Sequence, residues 1–483
     1  MNTNPNNTIV TPVSPYQKTQ NLFYTSQKQE TELTKLQIVG EIPKWIRGKL
    51  IRNGPAIFEV GNTKLRHWFD GYGMLHGFIV ENGEIYYHSK YIFSEEYLSA
   101  KSTGKLSTIL WGTTSDPCRS IFRRFFANFT NFPSNTNVNI VKIGERYFTT
   151  SDIATINETD IDSLDTLSSK TTDKRGVMAA HPSFQKGGSI WNMISSLGPR
   201  PTNRTISFSN EVEVISHASF ATPKTYYFHS FGNTERYFVS IEQPMYLSFK
   251  RLMLSGVKNL SFYECYMWDE KAFDILHIFD RDSKQMIHIA TKEKFFFFHT
   301  INTFEQDSLL YIDFCGYENN SVIDDFYFDV IQTAGLSEKN KARVMRLTVN
   351  LKTKEVVLRD MKINLELPAI NRTLAGSPYQ FSYGIHSSNG STELSDSIIK
   401  YDVINNTQII WKENSLIPGE PVFVKTPNNV AEDDGVLMVV CYDKEKATSC
   451  LAILNAKTMQ EMARADTPLH VPASFHGAFY KTK

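Results

Sequence analysis

Nowhere does the chain hold an uninterrupted apolar run near the roughly 18 residues that a membrane-crossing helix requires. A spanning segment is therefore not expected. The first 30 residues are rich in Asn, Thr and Gln and lack the apolar centre of a secretory leader. Excess charge is also missing: Lys plus Arg and Asp plus Glu both number 51, so no bulk field attracts nucleic acid or another polyanion. Cysteine is scarce, odd in number and dispersed. Cys118, Cys265, Cys315, Cys441 and Cys450 form no CxxC pair, which argues against a zinc ribbon or a disulfide scaffold and for reduced thiols in a cytoplasmic setting. Long helical periodicity is nearly absent as well.

What the chain has in abundance is Phe (33) and Tyr (22), with β-branched residues in short runs such as "LIRNGPAIFEV", "EIYYHSKYIF" and "VLMVVCYD". Short runs separated by Asn, Gly, Asp and Pro are the signature of strands and turns. At 483 residues the chain exceeds the usual limit of a single core, about 250–300 residues, leaving several domains or one large closed all-β architecture. Composition favours the second. Residues 1–35 read as a polar tail, and residues 36–483 as one continuous body without a linker. Strand spacing suits a blade-type repeat, although no repeated motif marks one. "RNGP" (52–55), "FDG" (69–71) and "EDDG" (432–435) are expected as turns.

One stretch breaks the β pattern. In "DPCRSIFRRFFANFTNF" (116–132), Ile121, Phe122, Phe125, Phe126 and Phe129 recur at helical spacing, with Arg123 and Arg124 on the other side. The aromatic face either packs on the core or dips into a bilayer while the arginines meet headgroups, and Cys118 beside it is a candidate for reversible acylation. In "KFFFFHTIN" (294–302), strand alternation places His299 on one side with Phe295, Phe297 and Ile301. His181, His229 and His476 stand in similar aromatic or small apolar surroundings. Wide separation excludes a local finger but suits strand ends converging on the axis of a closed β architecture, where imidazoles would take iron, copper or zinc.

The residues around these histidines resemble the carotenoid cleavage oxygenase family, which includes a retinoid isomerohydrolase. "GKLIRNGPAIFEVG" (48–61), "HWFDGYGMLHGF" (67–78), "SDPCRSIFRRFF" (115–126), "AHPSF" (180–184), "HSFGNTERY" (229–237), "FHTINTFEQD" (298–307), "EPVFV" (420–424) and "SFHGAF" (474–479) carry the resemblance, which is to the animal-type branch. It implies an all-β fold, a seven-bladed β-propeller with a few short helices and loops capping one face over an axial metal site. It further implies one Fe(II) per chain on His181, His229, His299 and His476, these being both ligands and catalytic centre. Three carboxylates would accept hydrogen bonds from ligand imidazoles: Glu366 in "NLELPAIN", Glu420 in "PGEPVFV", and Asp152 in "TTSDIA", where the related enzymes commonly carry glutamate. His67, His76, His88, His217, His277, His288, His386 and His470 have no such match and are read as non-ligands.

The activity so implied is cleavage of a conjugated double bond of a carotenoid or apocarotenoid with O2, giving two carbonyl products. The alternatives are a retinyl ester isomerohydrolase using the same iron, and a non-enzymatic carotenoid-binding propeller. The expected partners are a carotenoid, apocarotenoid or retinoid, O2, and a membrane surface met through 116–132. The expected location is cytoplasmic and peripherally membrane-associated.

Overall fold

The structure is a computed structural model describing residues 23–106, 108–114, 134–174, 176–185, 188–427 and 430–482. The helix expected over 116–132, with Cys118, lies outside the described residues.

Among the described residues, seven antiparallel sheets of four or five strands follow one another along the chain, most of them as meanders. Their innermost strands are His476–Lys481, Asn139–Ile143, Gly176–Met178, Gly232–Asn233, Phe296–Gln306, Glu366–Ile370 and Leu416–Lys425. These strands pack side by side from Gly232–Asn233 round to Leu416–Lys425 and on to His476–Lys481 and Asn139–Ile143, as the blades of a propeller do around its axis. The ring is closed by both ends of the chain. His476–Lys481 pairs with Gly48–Ile57, setting His476 opposite Asn53, while Ile38–Gly40 adds an outer strand to the last blade.

Central strands are covered by neighbouring blades on both faces, so Gly435–Asp443 is buried at every position, whereas the outermost Thr407–Trp411 is exposed along most of its length. An apolar layer fills the space between blades. Val239 and Ile278 of the fourth blade meet Leu310, Phe314 and Leu347 of the fifth, and Leu50 and Phe78 of the first meet Met438 and Ile453 of the seventh. The first strands of successive blades begin at uneven intervals, which is why no repeat is visible in the sequence.

Among the described residues, the two longest helices interrupt the blades. Glu95–Thr103 starts at Ser94, whose hydroxyl accepts from the Tyr97 N–H, and ends at Gly104 in the left-handed region. Phe249–Lys258 is capped likewise by Ser248 and ends at Asn259, also left-handed. No helix among the described residues is long and apolar enough to cross a membrane.

Two expectations need correction. Residues 23–35, assigned to the polar tail, are built into the fold. Phe23 packs on Tyr442, Tyr24 on Trp68, and Thr31–Lys35 forms the outer strand of the first blade. Two buried aromatics and an available strand edge tie down a segment whose composition looked mobile. "RNGP", expected as a turn, lies inside Gly48–Ile57, where a register shift between Pro55 and Ile57 accommodates the proline. "FDG" does turn, through the short helix Trp68–Asp70, and "EDDG" does as well. The Asp434 carboxylate there accepts from the Val430 and Ala431 N–H groups.

Candidate metal centre

Three of the residues that matter here sit where an innermost strand loses its regular register. Irregularities fall between Phe297 and Asn302, between Glu366 and Ala369, and between Pro418 and Pro421. A bulge places two residues against one and re-aims a side chain. The consequence is clear in "KFFFFHTIN". Phe295 and Phe297 enter the layer between blades four and five, Phe296, Phe298 and Ile301 join the cluster on the capped face, and His299 lines the cavity with Phe298. The alternation expected from an ideal strand, with His299 beside Phe297, is broken at this bulge.

His181 follows Gly176–Met178, His229 precedes Gly232–Asn233, His299 lies in Phe296–Gln306, and His476 opens His476–Lys481. Four different blades thus deliver four imidazoles to one point. His181 Nε2 and His229 Nε2 are 3.1 Å apart, as are His299 Nε2 and His476 Nε2. All four ligand nitrogens lie within 4.8 Å of one another, close enough to hold a single metal ion.

The far side of three rings is held by carboxylates. His299 Nδ1 is 2.7 Å from Glu366 Oε2, His476 Nδ1 is 2.7 Å from Glu420 Oε1, and His229 Nδ1 is 2.8 Å and 3.0 Å from the two oxygens of Asp152. Each carboxylate fixes the proton on Nδ1 and leaves the Nε2 lone pair facing the centre. Asp152 makes good its missing methylene by turning both oxygens on a single N–H. The Tyr227 hydroxyl at 3.3 Å and the Ala180 N–H at 3.2 Å hold it there. Among the described residues His181 has no carboxylate partner, and its Nδ1 lies 3.3 Å from the Asn139 side-chain amide.

Arg52 was not singled out in the sequence beyond its place in "RNGP". Its side chain is only 1% exposed and forms an ion pair with Glu420 through the oxygen that His476 does not use. It also donates to the Phe475 carbonyl at 2.8 Å and the Ser474 hydroxyl at 3.2 Å. Gly477 makes room for it, since a Cβ there would sit 2.5 Å from the Ile51 carbonyl oxygen and 2.7 Å from Arg52 Cδ. A buried charge inside a strand pattern has no local signature, so only spatial proximity reveals it.

Electrostatics follow from this crowding. Burial, and then the neighbouring imidazoles, hold His181 and His476 well below the ordinary imidazole value. Burial pushes the Glu366 carboxyl up, but His299, the Leu367 N–H and the Tyr317 hydroxyl outweigh it and hold it below the usual range. For Glu420 burial wins and raises it, with Arg52 offsetting only part. Three carboxylates against the one guanidinium in ion-pair contact with them leave two negative charges once ionised, with Arg372 acting without such contact, and a divalent cation would offset that surplus. Converging unprotonated nitrogens and that surplus both fit a four-imidazole cation site.

Beside the histidines opens a cavity of about 570 Å³, lined by Phe69, Trp111, Tyr227, Phe298, Phe326 and Phe475 together with His229, His299 and His476. Its wall also includes Phe249 and Leu252 of the helix Phe249–Lys258, and Tyr317, Ile385 and Leu394. Of the histidines read as non-ligands, His67 lies 2.9 Å through Nε2 from the Ile323 carbonyl, and His76 lies 2.8 Å from the Tyr87 hydroxyl. The structure places neither in the cluster.

A propeller whose axis holds a four-imidazole cation site in the wall of an aromatic cavity defines a class of metal-binding protein. The sequence model of the family described as retinal pigment epithelial membrane protein (RPE65) matches residues 24–481. The chain belongs to that family. Among curated relatives, the β,β-carotene 15,15'-dioxygenase of Mus musculus is 29% identical, with 95% of this chain and 91% of the relative covered. The mitochondrial carotenoid-cleaving dioxygenase of Pongo abelii is 30% identical, covering 92% and 91%. Among solved structures, cobalt-substituted Synechocystis ACO superposes with a TM-score of 0.85 at 22% identity, over 97% of this chain and 99% of that one.

Proposed function

We propose that this chain is a non-heme Fe(II) dioxygenase that cleaves a conjugated double bond of a carotenoid or apocarotenoid. The observation that carries the reading is the convergence of four Nε2 atoms within 4.8 Å in the wall of an apolar cavity. His181, His229, His299 and His476 would hold the iron, and Asp152, Glu366 and Glu420 would orient three of those rings. The activities named for the mouse and orangutan relatives support it.

Iron bound there supplies the redox chemistry that lets ground-state O2 react with an alkene. The rest is the work of the chain. A polyene has no polar handle along its middle, so the cavity holds it by burial, at about 25 cal/mol per Å², and by aromatic contact with Phe69, Trp111, Phe298 and Phe475. These rings keep bulk water from the reacting bond. The carboxylates hold the Nδ1 protons in place, so the ligand nitrogens stay unprotonated. The overall reaction balances without an external reductant: the carbon–carbon double bond is broken and each carbon takes one oxygen atom, giving two carbonyl products.

A membrane surface suits such a substrate. Helix Phe249–Lys258 borders the cavity with Phe249 and Leu252, leaves Val257 54% exposed, and carries Lys250, Arg251 and Lys258 for headgroups. With the aromatic stretch 116–132, this supports a cytoplasmic protein peripherally attached to membranes.

The test is to give iron-loaded, anaerobically purified protein β-carotene in detergent and then isotope-labelled O2. Two carbonyl fragments, each carrying one labelled oxygen, are expected. An intact polyene with altered double-bond geometry would point instead to isomerisation, and absence of stoichiometric iron would overturn the assignment.

A further inference from the structure

An apolar tunnel binds a polyene tightly but gives it no register, because every methine along the chain fits the same wall. Something at one end must stop the slide. The cavity wall includes Tyr317, Phe326, Glu366, Ile385 and Leu394, and all five also border a second, small pocket of about 20 Å³. That pocket adds polar groups to an apolar wall: Asn340, Lys341, Asn364, Ser387 and the Glu366 carboxylate line it with Val322, Leu336 and Ala342.

We propose that this pocket is a register-setting subsite that receives an oxygen atom, a hydroxyl or a carbonyl, carried on one end of the substrate. The inference rests on the polyene-cleaving reading above and narrows its substrate class to polyenes with an oxygenated end group. The volume admits one oxygen-sized group and no ring. The end ring therefore stays in the apolar cavity and projects only its oxygen past Tyr317 and Leu394.

The donors and acceptors are present. The Lys341 side chain is 5% exposed, and its ammonium is tied by 2.6 Å contacts to Glu338 and to the Ser388 carbonyl, two of the three bonds an ammonium can donate. The third N–H has no partner among these contacts, and Lys341 is one of the residues that line the pocket. Asn364 spends one amide hydrogen on the Ala342 carbonyl at 2.9 Å, which leaves the other. The Ser387 hydroxyl donates to the Glu393 carbonyl at 2.9 Å, and its oxygen is still able to accept. A substrate carbonyl would accept from Lys341 and Asn364, and a hydroxyl would in addition donate to Ser387. A hydrocarbon end would leave these buried groups unanswered, which is how a site built to bond an oxygen rejects the analogue without it.

The experiment compares β-carotene with its ring-dihydroxylated derivative on the iron-loaded full chain, reading kcat/KM for each and the lengths of the products. The hydroxylated polyene is expected to be preferred about tenfold, the selectivity of one charge-assisted hydrogen bond, and to be cut at a single bond. In Lys341→Met the preference is expected to collapse toward unity and the hydroxylated substrate to yield mixed fragments. Should that variant fail to fold, Ser387→Ala gives a partial loss by the same readout. Equal kcat/KM for both polyenes in the native chain, or a preference that survives both substitutions, would overturn the subsite while leaving the cleavage reading intact. Cleavage of neither polyene would sink that reading first.

Discussion

Replacing Glu420 by glutamine tests the charge balance of the centre. The amide keeps an oxygen for the His476 Nδ1–H, so the ring stays oriented, but the negative charge facing Arg52 is lost. Two carboxylates and one guanidinium then carry a single net negative charge against the two positive charges of a divalent cation, where the native set matches it. Lost support of this kind lowers metal affinity about 10- to 100-fold, or about 1.4–2.7 kcal/mol. The metal-free variant suffers too, because a guanidinium that is 1% exposed is left as an uncompensated buried charge, at about 3–5 kcal/mol. The double variant Arg52→Met, Glu420→Gln separates the two effects. It restores a net charge of minus two and removes the orphaned cation, so it should bind iron more tightly than the single variant, with a coupling of about 0.5–3 kcal/mol between the positions. The assay is iron retained against a graded chelator, with thermal melts of metal-free samples alongside. Native-like affinity in Glu420→Gln, or a double variant that binds no better than the single one, would show that charge matching does not hold the cation.

Acid should weaken the fold through two buried imidazoles. His67 and His76, each held down to about 3 chiefly by burial, stay neutral in the fold while the unfolded chain protonates near its ordinary value of 6.5. Their stabilisation is complete above about pH 6.5 and is lost toward about pH 3, by up to ~1.4 kcal/mol per pH unit each. Asp70, pushed up to about 7 by burial, binds a proton that the unfolded chain lacks between about pH 7 and 3.8, and so offsets one of the two. Denaturation midpoints should therefore fall as the pH falls across this window, and more steeply in Asp70→Asn; an unchanged slope there refutes the assignment. Gly477→Ala should displace Arg52 and cost about 1–3 kcal/mol of stability together with iron retention, whereas native stability and iron content would show that the close approach is unimportant. Phe297→Ala should cost about 3–5 kcal/mol and leave product lengths unchanged, because that ring packs between blades and not on the substrate. Val257→Glu should release the protein from anionic vesicles at constant iron content, and undiminished co-sedimentation would count against this helix as a membrane contact.

The four histidines were legible because each stands in a short aromatic or small-residue context that survives as a linear motif, and the same holds for Glu366 and Glu420. What was illegible shares one physical cause: it depends on where the backbone departs from ideal strand geometry. Period-two alternation assigned His299 to the side of Phe297, and the bulge over residues 297–302 instead brings it to the cavity with Phe298. Arg52 fell inside a sequence that spells a turn yet runs as a central strand, and its partner Glu420 lies 368 residues away beside another irregularity. Gly and Pro in such strands are therefore better read as marks of bulges and close approaches than as chain reversals. The same logic bears on Asp152. Residue type alone suggested a carboxylate one methylene too short, whereas the fold lets it reach by presenting two oxygens to His229, with Tyr227 bracing one of them. Of the three carboxylates it is the most exposed, at 28% against 14% and 10% for Glu366 and Glu420, and no ion-pair contact with a lysine or arginine faces it among the described residues. The imidazole of His229 is thus held by the weakest support of the three. Of the three carboxylate-held rings, the geometry selects that one as the first to yield when a bulky polyene presses into the cavity.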